Sequence, residues 1–212
     1  SGEYPEVYSG PEYMELCERA GDLRVSPCMQ FFRTDFLIDN QIRFKEGIIH
    51  EDNLFTVSCL LKADRIAYCD EKLYLRRIRP NSTVTKPAGR RNVEGYFVCG
   101  LELMALAKKG GGGQCNLSRT QEESLVRFIE SCFHNAANIY CELSVAERVL
   151  CKSSFGPLDA LLFDCFVEKD VVLRDEQAGG DGSFEDGGLP TSRSIPDEAG
   201  KVLSVLLGCM RK

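Results

Sequence analysis

A mixed α/β region over residues 1–88, followed by an all-helical extension over 89–212, is the fold class the sequence predicts. Three observations set it. Short runs at 65–69 and 72–78 are strand candidates, the second interleaving Leu75 and Ile78 with arginines as a strand would, apolar residues recur at helical spacing along 52–63, and helical spacing takes over after Pro87. A chain of 212 residues, 43% hydrophobic and 27% charged, is long enough to bury a substantial core.

The elements follow in order. Ser9-Gly10-Pro11-Glu12 opens the first helix, with Ser9 as cap and Glu12 reaching back in a capping box, and Gly21 ends it after Tyr13, Leu16 and Cys17. Ser26 to Arg33 is a mixed apolar run, and Thr34 to Ile38 reads as a short helical turn capped by Thr34. Phe44 leads through Glu46-Gly47 into His50-Glu51-Asp52, at the head of a helix over 52–63. The runs 65–69 and 72–78 are the strand candidates.

Beyond Pro87 the texture is helical. Val93, Phe97, Gly100, Leu101 and Met104 mark one amphipathic helix, and Leu125, Phe128, Ile129, Cys132, Ala136, Ile139 and Tyr140 mark a second. Lys108 to Gln114, with four consecutive glycines, is a flexible connection between them. Further helices are expected near 144–153 and 156–168. The acidic stretch from Asp175 to Pro196 has too little apolar surface to offset ordering entropy and reads as a mobile loop, followed by a last helix over 197–210. No internal repeat is present.

Charge is unevenly spread over a net of -6. Residues 62–91 hold nine Lys or Arg against Asp64, Asp70 and Glu71, whereas 169–199 hold eight acids against Lys169, Arg174 and Arg193. A local basic segment in an acidic chain suits a small anionic ligand, and a nucleic-acid partner is not expected. The eleven cysteines are odd in number, lack any CxxC pair and include several in apolar helical stretches, which suits buried free thiols in a reducing cytosol better than a disulfide framework. The start SGEYPEVYSG has no basic and apolar leader, and the apolar run from Leu158 to Val167 is short and broken by Asp159 and Asp164. A cytoplasmic location follows, with peripheral contact at the inner face of the cell membrane left open.

Two polar clusters hold the chemistry. Glu51 and Asp52 stand side by side at a helix mouth between apolar Ile48-Ile49 and Leu54-Phe55. Tyr74-Leu75-Arg76-Arg77-Ile78-Arg79-Pro80-Asn81-Ser82 begins 22 residues later. A carboxylate able to take a proton, followed by arginines able to steady a phosphate leaving group, suits group transfer from a phosphorylated donor. On a strand, Arg77 and Arg79 share a face and Arg76 points the other way.

The order Phe36-Leu37, Ile42-Arg43-Phe44-Lys45-Glu46-Gly47, His50-Glu51-Asp52, Phe55, Ala63, Arg65-Ile66, Tyr74, Arg77-Ile78-Arg79, Ser82 resembles the second half of bacterial family 2 glycosyltransferases of the GT-A fold, over roughly residues 8–88. The resemblance implies that 1–88 is the acceptor-side, base-bearing portion of a GT-A-like domain. It also implies that Asp52 is the general base with Glu51 beside it, and that Arg77, Arg79, Tyr74 and Ser82 lie on the donor diphosphate side. The implied partners are a nucleotide-sugar donor and a glycan or lipid-linked acceptor, and the implied reaction is inverting transfer in polysaccharide or cell-wall synthesis. The implied cofactor is a divalent cation, Mg or Mn, whose ligands fall in the family's first half, apart from any help from Glu51 or Asp52. That half, with its nucleotide-binding βαβ unit and Asp-x-Asp motif, has no counterpart here, so the chain is expected to be inactive alone and prone to self-association through an uncovered face.

Plain structural roles compete with each of these. Asp52 as a helix cap contributes on the order of 1 kcal/mol. His50 beside Ile49 suits a hydrogen-bonded structural histidine, the arginines a solvated strand face, and Tyr74 and Phe44 a core. Two other functions stand beside sugar transfer. One is a noncatalytic helical module whose amphipathic helices dock a partner or a membrane surface. The other, a hydrolase metal site of His50, Glu51, Asp52 and His134, lacks helical i, i+4 ligand spacing.

Overall fold

The computed structural model describes residues 7–80, 82, 85–110 and 117–168. The acidic stretch at 175–196, the helix expected over 197–210 and most of the glycine connection lie outside the described residues. The described chain folds as α1 (Gly10–Arg19), a 3₁₀ turn (Pro27–Met29), α2 (Thr34–Asp39), α3 (Glu51–Lys62), α4 (Arg90–Gly110), α5 (Arg119–Glu142), α6 (Val145–Ser153), α7 (Pro157–Phe163) and a π-helical turn (Asp164–Glu168).

This overturns the α/β expectation. Among the described residues there is no strand and no sheet, so residues 1–88 are not a mixed α/β, GT-A-like region. The reason lies in backbone pairing. Tyr8 and Ile66 exchange two hydrogen bonds, at 2.8 and 2.7 Å, as an isolated antiparallel bridge, and no ladder continues from it. Alternation along 72–78 gives a strand its faces, but a strand exists only when a second backbone takes its N–H and C=O groups. The segment 71–80 is exposed throughout and irregular.

The helices form where local chemistry dictates. The Ser9 N–H and hydroxyl both donate to the Glu12 carboxylate, at 2.9 and 2.6 Å, and Gly21 takes the left-handed conformation, φ 65°, beyond the end of α1. Ser118 with Gln121 and Ser144 with Glu147 build the same box at the starts of α5 and α6. Thr34 is not a cap: it is the first residue of α2, which Arg33 precedes. There the Asp35 carboxylate accepts from the Phe36 N–H at 2.9 Å and is gripped by the Arg33 guanidinium at 2.6 and 3.1 Å.

Buried residues from Met14 to Val167 make one continuous core, with α4 and α5 as its central pair and α1 and α3 packed against them. Fully buried Phe97 on α4 meets Phe133, Phe155 and Phe163 at ring-centroid distances of 5.8, 4.9 and 5.1 Å. A smaller cluster of Ile42, Phe55 and Cys59 closes the other side of α3, helped by Phe32, Phe36 and Leu37. Two glycines set how closely these elements approach. A Cβ on Gly10 would stand 1.8 Å from the Leu60 carbonyl oxygen, and one on Gly95 would stand 2.0 Å from that of Ile49. Gly10 therefore lets α1 start against the end of α3, and Gly95 lets the chain entering α3 lie directly on α4.

Candidate functional site

That second contact builds the site. Because Ile49 rests on Gly95, the next residue, His50, falls over the next residue of α4, Tyr96, and the rings stack with centroids 3.8 Å apart and planes 17° apart. His50 is the cap residue of α3 and has a left-handed backbone, φ 68° and ψ 22°, a costly conformation for a residue with a Cβ. Its main chain and ring are held to compensate. The carbonyl oxygen accepts the Asn53 N–H and the Asn53 side-chain amide, both at 3.1 Å, and the Cys99 thiol at 3.2 Å.

Besides the Tyr96 stack, the ring meets Asn92, whose side-chain nitrogen lies 3.0 Å from Nε2. The Asn92 oxygen accepts the Gly89 N–H at 2.9 Å, which turns the amide NH₂ toward His50 and makes Nε2 the acceptor. The imidazole is therefore neutral with its proton on Nδ1. Burial, the largest influence, pushes its pKa below the usual histidine value, against the pull of Asp52 and Glu51.

Asp52 is the second residue of α3, two positions past the cap residue His50, so it is not the N-cap, although it stands in the first turn. Its Oδ1 accepts from the Asn53 N–H at 3.0 Å and the Asn53 amide at 3.3 Å. The carboxyl is half-buried, and desolvation outweighs those hydrogen bonds and the nearby His50 to hold its pKa above the ordinary aspartate range, with Glu51 adding to the rise. A carboxylate with a raised pKa, fixed on a helix end and backed by a neutral histidine, is equipped to accept a proton from a hydroxyl. Glu51 is half-exposed beside it.

The second cluster stands apart in kind. Tyr74 is 50% exposed, with its hydroxyl against the Cys28 thiol of the 3₁₀ turn. Arg76, Arg77 and Arg79 are exposed, and Ser82, half-buried, shares a hydrogen-bonded turn with Thr85 at 2.9 and 3.0 Å. No hydrogen bond or ion pair among the described residues joins Arg77 or Arg79 to Glu51 or Asp52. Phe44 is neither free nor core: it is 48% exposed and stacks on Phe55 at 4.0 Å.

The chain was set beside known proteins at three levels: family models, curated sequences and solved structures. None matches.

The implied divalent cation does not find a built site. Among the described residues no three His, Cys, Asp or Glu side chains stand together as a metal would need, and Glu51 and Asp52 are only a pair, with Oδ1 of Asp52 already accepting two hydrogen bonds. Tyr96, Asn92 and Cys99 are the site residues that sequence reasoning did not find. The one signal that could have found any of them is the Gly89-x-x-Asn92 spacing at the start of α4, and nothing in it points 42 residues back to His50. The buried thiols Cys59 and Cys99 have pKa values pushed up to about 12 by burial and are inert at neutral pH, whereas Cys165 is exposed. Among the described residues no helix is long and apolar enough to cross a membrane.

Proposed function

We propose that the chain is the acceptor-side, base-bearing part of a sugar-transfer enzyme that uses a nucleotide-diphosphate sugar and inverts the anomeric centre. The observation that carries this reading is the half-buried carboxyl of Asp52, raised in pKa at the head of α3 and backed by a locked neutral histidine. Asp52 takes the proton of an acceptor hydroxyl while that oxygen attacks the anomeric carbon, and the bond to the nucleoside diphosphate breaks as the new one forms. Arg77 and Arg79, exposed and free of carboxylate partners among the described residues, offset the charge gathering on the departing diphosphate. His50 acts on Asp52 through Asn53, whose amide donates to both the His50 carbonyl and Asp52 Oδ1, and its ring stays outside the proton path because Nε2 is occupied by Asn92.

The motif order around His50-Glu51-Asp52 and Arg77-Ile78-Arg79 supports the same reading. A titration of the chain with a nucleoside diphosphate tests it. Saturable binding that Arg77→Ala and Arg79→Ala weaken is the expected result, and binding indifferent to both changes rejects it.

A second reading has its own observation. Val145 and Val149 on α6 are 79% and 63% exposed, and Leu158 and Leu161 on α7 are 67% and 60% exposed, an apolar surface suited to a helical module that docks a partner without catalysis. Leu158→Glu with Leu161→Glu would then abolish partner binding, while Asp52→Asn would leave it unchanged.

A further inference from the structure

A recess of about 350 Å³ lies between the 41–45 loop, α3 and α4, on a different face of α3 from Asp52. Its volume falls within the range of small-molecule sites, about 300–1,000 Å³. α3 gives it Leu54, Ser58 and Lys62 at four-residue steps, and α4 adds Leu106 to an apolar floor. The rim is cationic: Arg43, Lys45 and Lys62 stand against one carboxylate, Glu102.

These groups differ in how far they are committed. Lys45 meets Glu102 at 2.5 Å, and among the described residues Lys62 donates one hydrogen bond, of 2.7 Å, to the Asn40 carbonyl, leaving two donors on the same ammonium. Arg43 makes no ion pair among the described residues. The loop that carries Arg43 and Lys45 is shaped by two left-handed residues, Gln41 at φ 53° and Gly47 at φ 84°.

We infer that this recess binds a small, free amphiphilic anion, a molecule with one phosphate or carboxylate head on an apolar body of about a dozen heavy atoms. Arg43 and Lys62 take the head, Ser58 supplies a hydroxyl to it, and Leu54 and Leu106 cover the body. A concave space of 350 Å³ suits a free molecule better than a bilayer, which presents a broad surface. The inference is independent of sugar transfer and uses no residue assigned to it.

The test is amide-resolved NMR of the 212-residue chain titrated with octyl phosphate, with octan-1-ol and inorganic phosphate as separate arms. The inference predicts saturable shifts confined to residues 41–45, Ser58, Lys62 and Leu106 with octyl phosphate, and binding about tenfold weaker for either half-molecule. Arg43→Glu weakens octyl phosphate about tenfold. Arg33→Glu, at an exposed site paired with Asp35, leaves it unchanged. Shifts elsewhere, equal binding of octan-1-ol, or indifference to Arg43→Glu overturns the site. Capture of the chain by phosphatidylglycerol vesicles in competition with octyl phosphate overturns the free-ligand form.

Discussion

The imidazole of His50 lies flat on the ring of Tyr96, 3.8 Å away, and this stack clamps the entry of α3 to α4. The clamp holds a backbone that would otherwise be unfavourable, since His50 is left-handed at φ 68°.

Two substitutions at that position separate strain from stacking. Both lose a ring pair of about 0.5–1.5 kcal/mol, but glycine also relieves the left-handed strain, so His50→Gly should be less destabilising than His50→Ala by about 1 kcal/mol. Urea denaturation of the three proteins measures the difference. Equal stabilities for the two variants would mean that the backbone at 50 is not left-handed in solution.

Gly95→Ala should be far worse than an ordinary helix substitution. Alanine normally improves a helix by about 1 kcal/mol, yet its Cβ here would sit 2.0 Å from the Ile49 carbonyl oxygen, so a net loss of about 2–4 kcal/mol is expected. The change should also broaden or shift the NMR signals of His50 and Tyr96, because the crossing that aligns them must open.

The two titrating groups of the site act on stability in opposite directions. The pKa of Asp52 is raised in the folded chain, so the folded state binds more protons above the ordinary aspartate value, and stability falls as pH rises from there through the folded pKa. The pKa of His50 is lowered, so its contribution is complete above the ordinary histidine value of 6.5 and is lost as pH falls from there toward the folded pKa. Asp52→Asn should therefore raise the melting temperature at neutral pH and lose that advantage in strong acid. Thermal unfolding across pH checks this, and a neutral-pH loss would contradict the burial penalty on Asp52. Such a gain fits a functional group retained at a cost in stability.

Arg77→Ala and Arg79→Ala should each weaken binding of a nucleoside diphosphate by about tenfold and flatten its salt dependence, as removal of one charge-assisted contact would. Arg33→Ala serves as the exposed control, already paired with Asp35. Calorimetric titration at two ionic strengths reads both effects.

The legible parts of the sequence were those governed by local rules. Glu12 three residues after Ser9, Gly21 after the last helical turn, and the apolar spacing of 52–63 locate α1 and α3 to within a residue or so, because capping and amphipathicity act within one element. The run 72–78 misled for the converse reason. Its interleaving of Leu75 and Ile78 with Arg76 and Arg77 is local, but pairing is not, and the exposed Leu75, at 95%, shows what such a pattern leaves without a neighbour. Glu51 and Asp52 stood out as adjacent acids. Their electrostatic setting did not, because it depends on Gly95, Tyr96 and Asn92 arriving from α4, a contact between residues about 42 to 46 positions apart that no periodicity encodes.

Sugar transfer by the Asp52→Asn variant, measured in the protein translated from its complete reading frame, tests the central claim most directly. General-base assistance is worth about 10²- to 10⁴-fold, so turnover should fall by at least about 10²-fold while nucleotide-sugar binding stays unchanged. A variant that keeps most of its turnover would contradict the assignment of Asp52 as the base.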